Sequence, residues 1–109
     1  MKQELEQKLY NDFPKLFRQK DLPITESAMG WGIDTPDEWF DVIYKACQLI
    51  QDYCNSDDNK QIEFTQVKEK FGQLRMYYYG ANDYIDGVID MANEIVADDN
   101  FKLRQFDEQ

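Results

Sequence analysis

The sequence predicts an α+β fold: one small domain of about three helices packed on an antiparallel β-hairpin or small sheet. Three observations carry this. Apolar residues recur at intervals of three and four in three separate segments, which is the period of one helix face. Between the second and third of them, residues 61–79 switch to alternation, the period of a strand. The 109 residues also include two Trp, seven Tyr and seven Phe, enough ring area for one modest core but not for a second domain.

The N-terminal segment, 1–18, reads as a helix from residue 2, with Leu5, Leu9, Phe13, Leu16 and Phe17 on one face, and either bends at Pro14 or restarts there as a second short helix after Asn11 or Asp12. Proline has no N–H to give to an interior helical hydrogen bond. Residues 19–34, QKDLPITESAMGWGID, read as loop, with Gly30 and Gly32 freeing the backbone around Trp31. A central helix is expected over 35–54. Its start, Thr35-Pro36-Asp37-Glu38, has the form of a capping box with proline at the first helical position. Trp39, Val42, Ile43, Ala46, Cys47, Ile50 and Tyr53 make its apolar stripe.

Over 61–79 a hairpin is expected to turn at Lys70-Phe71-Gly72-Gln73. Ile62 and Phe64 alternate on one strand, and Leu74, Met76 and Tyr78 alternate on the other. Val67 is out of phase with Ile62 and Phe64, which predicts a bulge or a bend between them. Two strands alone are marginal, so the hairpin needs helices or a third strand against it. The last helix is expected over 83–97, capped by Asn82 or Asp83, with Tyr84, Ile85, Val88, Ile89, Ala92, Ile95 and Val96 on its apolar face. The tail, 98–109, either docks through Phe101, Leu103 and Phe106 or frays.

Charge narrows the function classes. Twenty-two acids face twelve bases, a formal net charge of -10. Direct, sequence-independent binding to nucleic acid needs the opposite sign, and so does an anionic membrane surface. A basic protein surface is the natural partner. There is no His, which removes the commonest general base and the commonest metal ligand. Cys47 and Cys54 are seven residues apart on one helix. At 1.5 Å rise per residue their Cα atoms are about 10 Å apart, beyond disulfide reach. Two free core cysteines fit a reducing cytoplasm. The N-terminus has no apolar signal region, and no run approaches a membrane span. The pattern contains no nucleophile–base pair, no metal-ligand spacing and no phosphate loop, so a non-catalytic protein without cofactor or metal is expected.

The segment DYIDGVIDMANEIVADD, residues 83–99, holds six carboxylates and no cation. A helix that buries one side must show the other to water, which accounts for where the acids lie. It does not account for their sign, because like charges at i,i+4 are destabilising where opposite ones would help. Asp86, Asp90 and Glu94 step along the helix by about 6 Å each, near the separation of neighbouring phosphates on a nucleic-acid strand. Asp83, Asp86, Asp90, Glu94 and Asp98 are therefore the first candidate contact surface. Asp37, Glu38 and Asp41 are a second patch at the start of the central helix. An alternative surface is the basic and aromatic hairpin: Lys68, Lys70 and Arg75 with Tyr77 and Tyr79. Its charges can instead pair internally with the acidic start of the central helix.

Two strings resemble a group of small uncharacterised proteins of bacteria and their phages. One is EWFDVIYKACQLI, matched at Trp39, Phe40, Asp41 and Ile43. The other is QVKEKFGQLRMYYYG, matched at Gln66 to Gly72, Leu74, Arg75 and Tyr77. The resemblance covers roughly residues 36–96. Some members of that group continue into a Cys-x-x-Cys tail, whereas this chain has DDNFKLRQF there. The resemblance implies a phage or mobile-element setting and supplies no functional residues. The expectation is an acidic, phage-type binding protein, acting as a nucleic-acid mimic that inhibits a host defence or nucleic-acid-binding protein. The alternatives are an immunity- or antitoxin-like protein that masks a toxin, and a self-associating accessory phage protein.

Overall fold

A computed structural model of the chain describes residues 1–56 and 58–98. Three helices, α1 (Gln3–Asp12), α2 (Phe40–Cys54) and α3 (Asp83–Ala97), pack with a three-stranded mixed sheet of β1 (Ile33–Asp34), β2 (Phe64–Lys70) and β3 (Gln73–Tyr78). The strand order is β1-β2-β3. The α+β expectation holds for one compact domain.

α1 ends at Asp12, one of the two breaks offered before Pro14, and not at residue 18. Pro14 disfavours helical geometry at the residue before it, and Phe13 leaves the helix at φ -129°, ψ 58°. The chain continues as a turn and a short 3₁₀ stretch, Arg18–Asp21, rather than as the same helix after a bend. The apolar side chains still reach the core: Leu9, Phe13, Leu16 and Phe17 are all buried. Phe17 meets Phe64 with ring centroids 5.3 Å apart, and the Phe64 N–H donates to the Leu16 carbonyl at 2.8 Å, which locks this segment onto β2.

The segment read as loop contains an edge strand. Ile33 and Asp34 pair in parallel with Val67 and Lys68, so the sheet is mixed rather than purely antiparallel. Two residues are too few to show a period, and only tertiary pairing creates this strand. The hairpin itself forms where expected. Phe71 (φ 54°) and Gly72 (φ 78°) occupy the two left-handed positions of a two-residue turn, whose twist matches the flanking strands. The register shifts between Phe64 and Gln66, where the irregularity was expected, and this lets Phe64 and Val67 both point into the core.

The capping box at Thr35 does not form. Thr35 lies directly after β1 with its hydroxyl oxygen buried and unpartnered, and a 3₁₀ turn, Asp37–Trp39, leads into α2 without a side-chain cap. Asp37 instead accepts a hydrogen bond from the Lys2 backbone N–H at 2.7 Å, tying down the start of α1. α3 does have its cap: the Asn82 side chain accepts from the Ile85 N–H at 3.0 Å. Cys47 and Cys54 are free and buried, in the core beside Ile43, Ala46 and Ile50. Phe101, Leu103 and Phe106 lie outside the described residues.

Candidate functional site: the outer faces of α3

α3 packs on α2 and β3 and buries Ile85, Ala92 and Val96. Opposite them, Asp83, Asp86, Asp90, Glu94 and Asp98 are all exposed. Asp83 and Asp86 sit in the first turn, where the helix dipole favours negative charge. Glu94 comes near the C-terminal end, where the dipole opposes it, and no basic residue occupies the last turn. Asp86, Asp90 and Glu94 repel along the row. Among the described residues, Asp83, Asp86, Asp90 and Glu94 form no ion pair with Lys or Arg.

The N-terminal end of the row is anchored by a tyrosine. Tyr78 at the end of β3 donates its hydroxyl to Asp86 at 2.5 Å and accepts from the Asn82 backbone N–H at 2.9 Å. Burial and the neighbouring Asp86 carboxylate push the Tyr78 phenol up to about 12. Asn82 also donates its side-chain amide to the Tyr53 hydroxyl at 3.0 Å, and Tyr53 stacks on Tyr84 with centroids 4.6 Å apart. The start of α3 is thereby held to both β3 and α2, and the acidic row stands on a rigid element.

The other expected surfaces fare differently. Of the second acidic patch, Asp37 is engaged at the start of α1, while Glu38 and Asp41 remain exposed. The basic cluster is brought together: Lys68 faces Arg75 directly across β2 and β3, and Asp34 is in register beside Lys68. Among the described residues, Lys68, Lys70 and Arg75 form no ion pair with Asp37, Glu38 or Asp41, so that internal pairing is absent. Arg75 donates instead to Gln73 at 2.5 Å, and its Nε is buried without a partner. Tyr77 is half exposed and Tyr79 is 91% exposed.

A correction falls on α3 itself. Tyr84 and Ile95, read as part of the core face, are 46% and 41% exposed, and Met91 between them is 64% exposed. The sequence shows two strips but not which of them is buried. Residues 85, 89, 92 and 96 repeat at intervals of four, three and four, and so do 84, 88, 91 and 95. There are two adjacent apolar strips; the core takes the first and, of the second, only Val88 packs partly against it.

Elsewhere, a cleft of about 620 Å³ opens between Gln19, Tyr53, Gln61, Glu63, Tyr78 and Asn82. Its polar side chains are bonded to one another or to neighbours: Gln19 to Glu63, Glu63 to Arg18, and Tyr53 to Asn82. Burial raises the Cys47 thiol far above its ordinary range, away from the reactive thiolate. Among the described residues, no three His, Cys, Asp or Glu side chains gather to hold a metal ion, and no helix is long and apolar enough to cross a membrane. The chain matches no protein-family model, no curated protein and no solved structure.

Proposed function

We propose that this protein binds the basic surface of a nucleic-acid-binding protein through the carboxylate row of α3 and so competes with nucleic acid for that surface. One observation carries the reading: Asp83, Asp86, Asp90 and Glu94 are exposed on one helix and, among the described residues, no cation pairs with them. From Asp83 to Asp98 the row runs about 22 Å at 1.5 Å per residue, the length of a short stretch of phosphate backbone. A row of that sign displaces phosphates from a Lys/Arg groove and is attracted to it from a distance. The sequence resemblance to bacterial and phage proteins makes a host defence or nucleic-acid-binding protein the expected target.

The test is retention of host proteins on the immobilised full chain. Basic nucleic-acid-binding proteins are expected at low salt, and are expected to be lost when salt rises above about 0.15 M, where charges are screened beyond about 8 Å, or when double-stranded DNA is added. The D86K/D90K/E94K variant is expected to retain none. Equal retention by this variant contradicts the reading.

A second reading rests on the hairpin. Tyr79 and Phe71 are about nine-tenths exposed, beside Tyr77 and the Lys68–Arg75 pair, a surface suited to self-association or to masking a toxin. A mass in solution that rises with concentration, and falls back for Tyr79→Ser, is its signature.

A further inference from the structure

The second apolar strip of α3 gives the partner a shape as well as a charge. Tyr84, Val88, Met91 and Ile95 follow the four-three-four spacing of a helix–helix seam. Three of them are large and between two-fifths and two-thirds exposed, on a helix whose other apolar strip already faces the core. Tyr84 stacks on Tyr53 of α2, so the strip lies along the side of α3 that faces α2. On α2, Val42, Leu49 and Tyr53 are half-buried. Next around α3 come Asp83, Asp90 and Glu94, separated from the strip by Gly87, beside which there is open space. Exposed Asp41 and Asp52 stand on the outer side of α2. The result is an exposed apolar strip with an acidic edge on α3, while the facing edge of α2 mixes Asp41 and Asp52 with Lys45.

Building on the proposed acidic contact, we infer that this strip takes a basic amphipathic helix of the partner protein. The partner's apolar residues would be spaced four-three-four to meet Met91 and Ile95, and its Lys or Arg residues would flank them to meet Asp90 and Glu94. Helices recognised in grooves present such anchors. Charge selects among the occupants. A second copy of this chain carries the same net charge of -10 and is repelled. An anionic lipid surface is repelled for the same reason. From Tyr84 to Ile95 the strip runs about 16 Å, roughly three turns of a docked helix.

The two parts of the surface have different kinetic signatures. Carboxylates steer encounter and set its salt dependence, while apolar anchors slow dissociation.

The experiment titrates the full-length protein with three fluorescent peptides of about four helical turns. The first has Leu at four-three-four spacing with Lys flanks. The second has the same composition scrambled. The third has Ser in place of each Leu. The patterned peptide is expected to bind at least about tenfold more tightly than either control, a difference of roughly 1.4 kcal/mol. Met91→Gln with Ile95→Gln is expected to remove that advantage while leaving the weak binding of the Lys/Ser peptide unchanged. Both positions are exposed, and an unchanged circular dichroism spectrum confirms the fold. Equal affinity for all three peptides, or no effect of the double substitution, overturns docking on the apolar strip and leaves the carboxylate row standing. D90K/E94K is expected to weaken all three peptides. If it weakens none, the proposed acidic contact itself fails, and the two failures are distinct. Concentration-dependent dimerisation abolished by Met91→Gln overturns the assignment to a foreign helix.

Discussion

α2 and α3 are each fifteen residues long and pack on one another, yet they are built to different ends. α2 buries five side chains, Ile43, Ala46, Cys47, Ile50 and Cys54, and its outer face mixes Asp41 and Asp52 with Lys45. α3 buries three, places Gly87 in its middle, leaves Met91 largely exposed, and its charged residues are all acids. Propensity, packing and charge agree in α2. In α3 each of them gives up some stability, and what is left over is surface. A helix with those departures on one side of a small domain is where a contact with another molecule belongs, because functional surfaces are drawn from the places where local consistency is relaxed.

The largest effect that would sharpen this contrast is in the core. Ile50→Ala, at a fully buried position of α2, is expected to cost about 2–5 kcal/mol by denaturant unfolding. Met91→Ala on α3 is expected to stay within about 0.5 kcal/mol of wild type. Comparable losses at the two sites would break the comparison. Next is the cap of α3: Asn82→Ala removes the acceptor for the Ile85 N–H and the donor to Tyr53, and is expected to cost about 1 kcal/mol. Gly87→Ala goes the other way. A Cβ there meets nothing within 4 Å, so helix stability is expected to rise by about 0.5–1 kcal/mol. Glu94→Lys is smaller still. It replaces a like-charge pair with Asp90 by a favourable one and suits the helix C-terminus, adding a few tenths of a kcal/mol, about 0.3–0.5.

The last effect is a pH dependence that shows only at alkaline pH. The folded Tyr78 phenol is raised above its ordinary value of about 10 to about 12 by burial and Asp86. Its neutral form is therefore the one the fold favours. The contribution is complete below pH about 10 and is lost as pH rises toward about 12. Alkaline unfolding of the Asp86→Asn variant is expected to depend less on pH across that window, followed by circular dichroism.

Much of this fold could be read from local chemistry. α3 and its Asn82 cap, the turn at Phe71-Gly72 and the misphased Val67 each have a cause within a few residues, and each stands where the spacing put it. What was misread depends on distant partners. β1 exists because Ile33 meets Val67. The capping box at Thr35 fails because that residue is buried at the end of β1 and Asp37 is drawn to the Lys2 N–H. For the candidate site, the sign and spacing of the carboxylates were legible, since they lie on one helix. The exposure of Tyr84, Met91 and Ile95 was not, because a helix wheel shows which residues are neighbours but not how far α2 reaches over them.

The central claim is that α3 trades stability for a binding surface. The most direct measurement places both quantities on one variant, D86K/D90K/E94K, by thermal unfolding and by low-salt retention of host proteins on the immobilised chain. The account predicts a folded variant that no longer retains basic nucleic-acid-binding proteins, while wild type retains them and releases them to added DNA. A folded variant that retains the same proteins as wild type would contradict it, and the carboxylates of α3 would then be only the solvated side of a core helix.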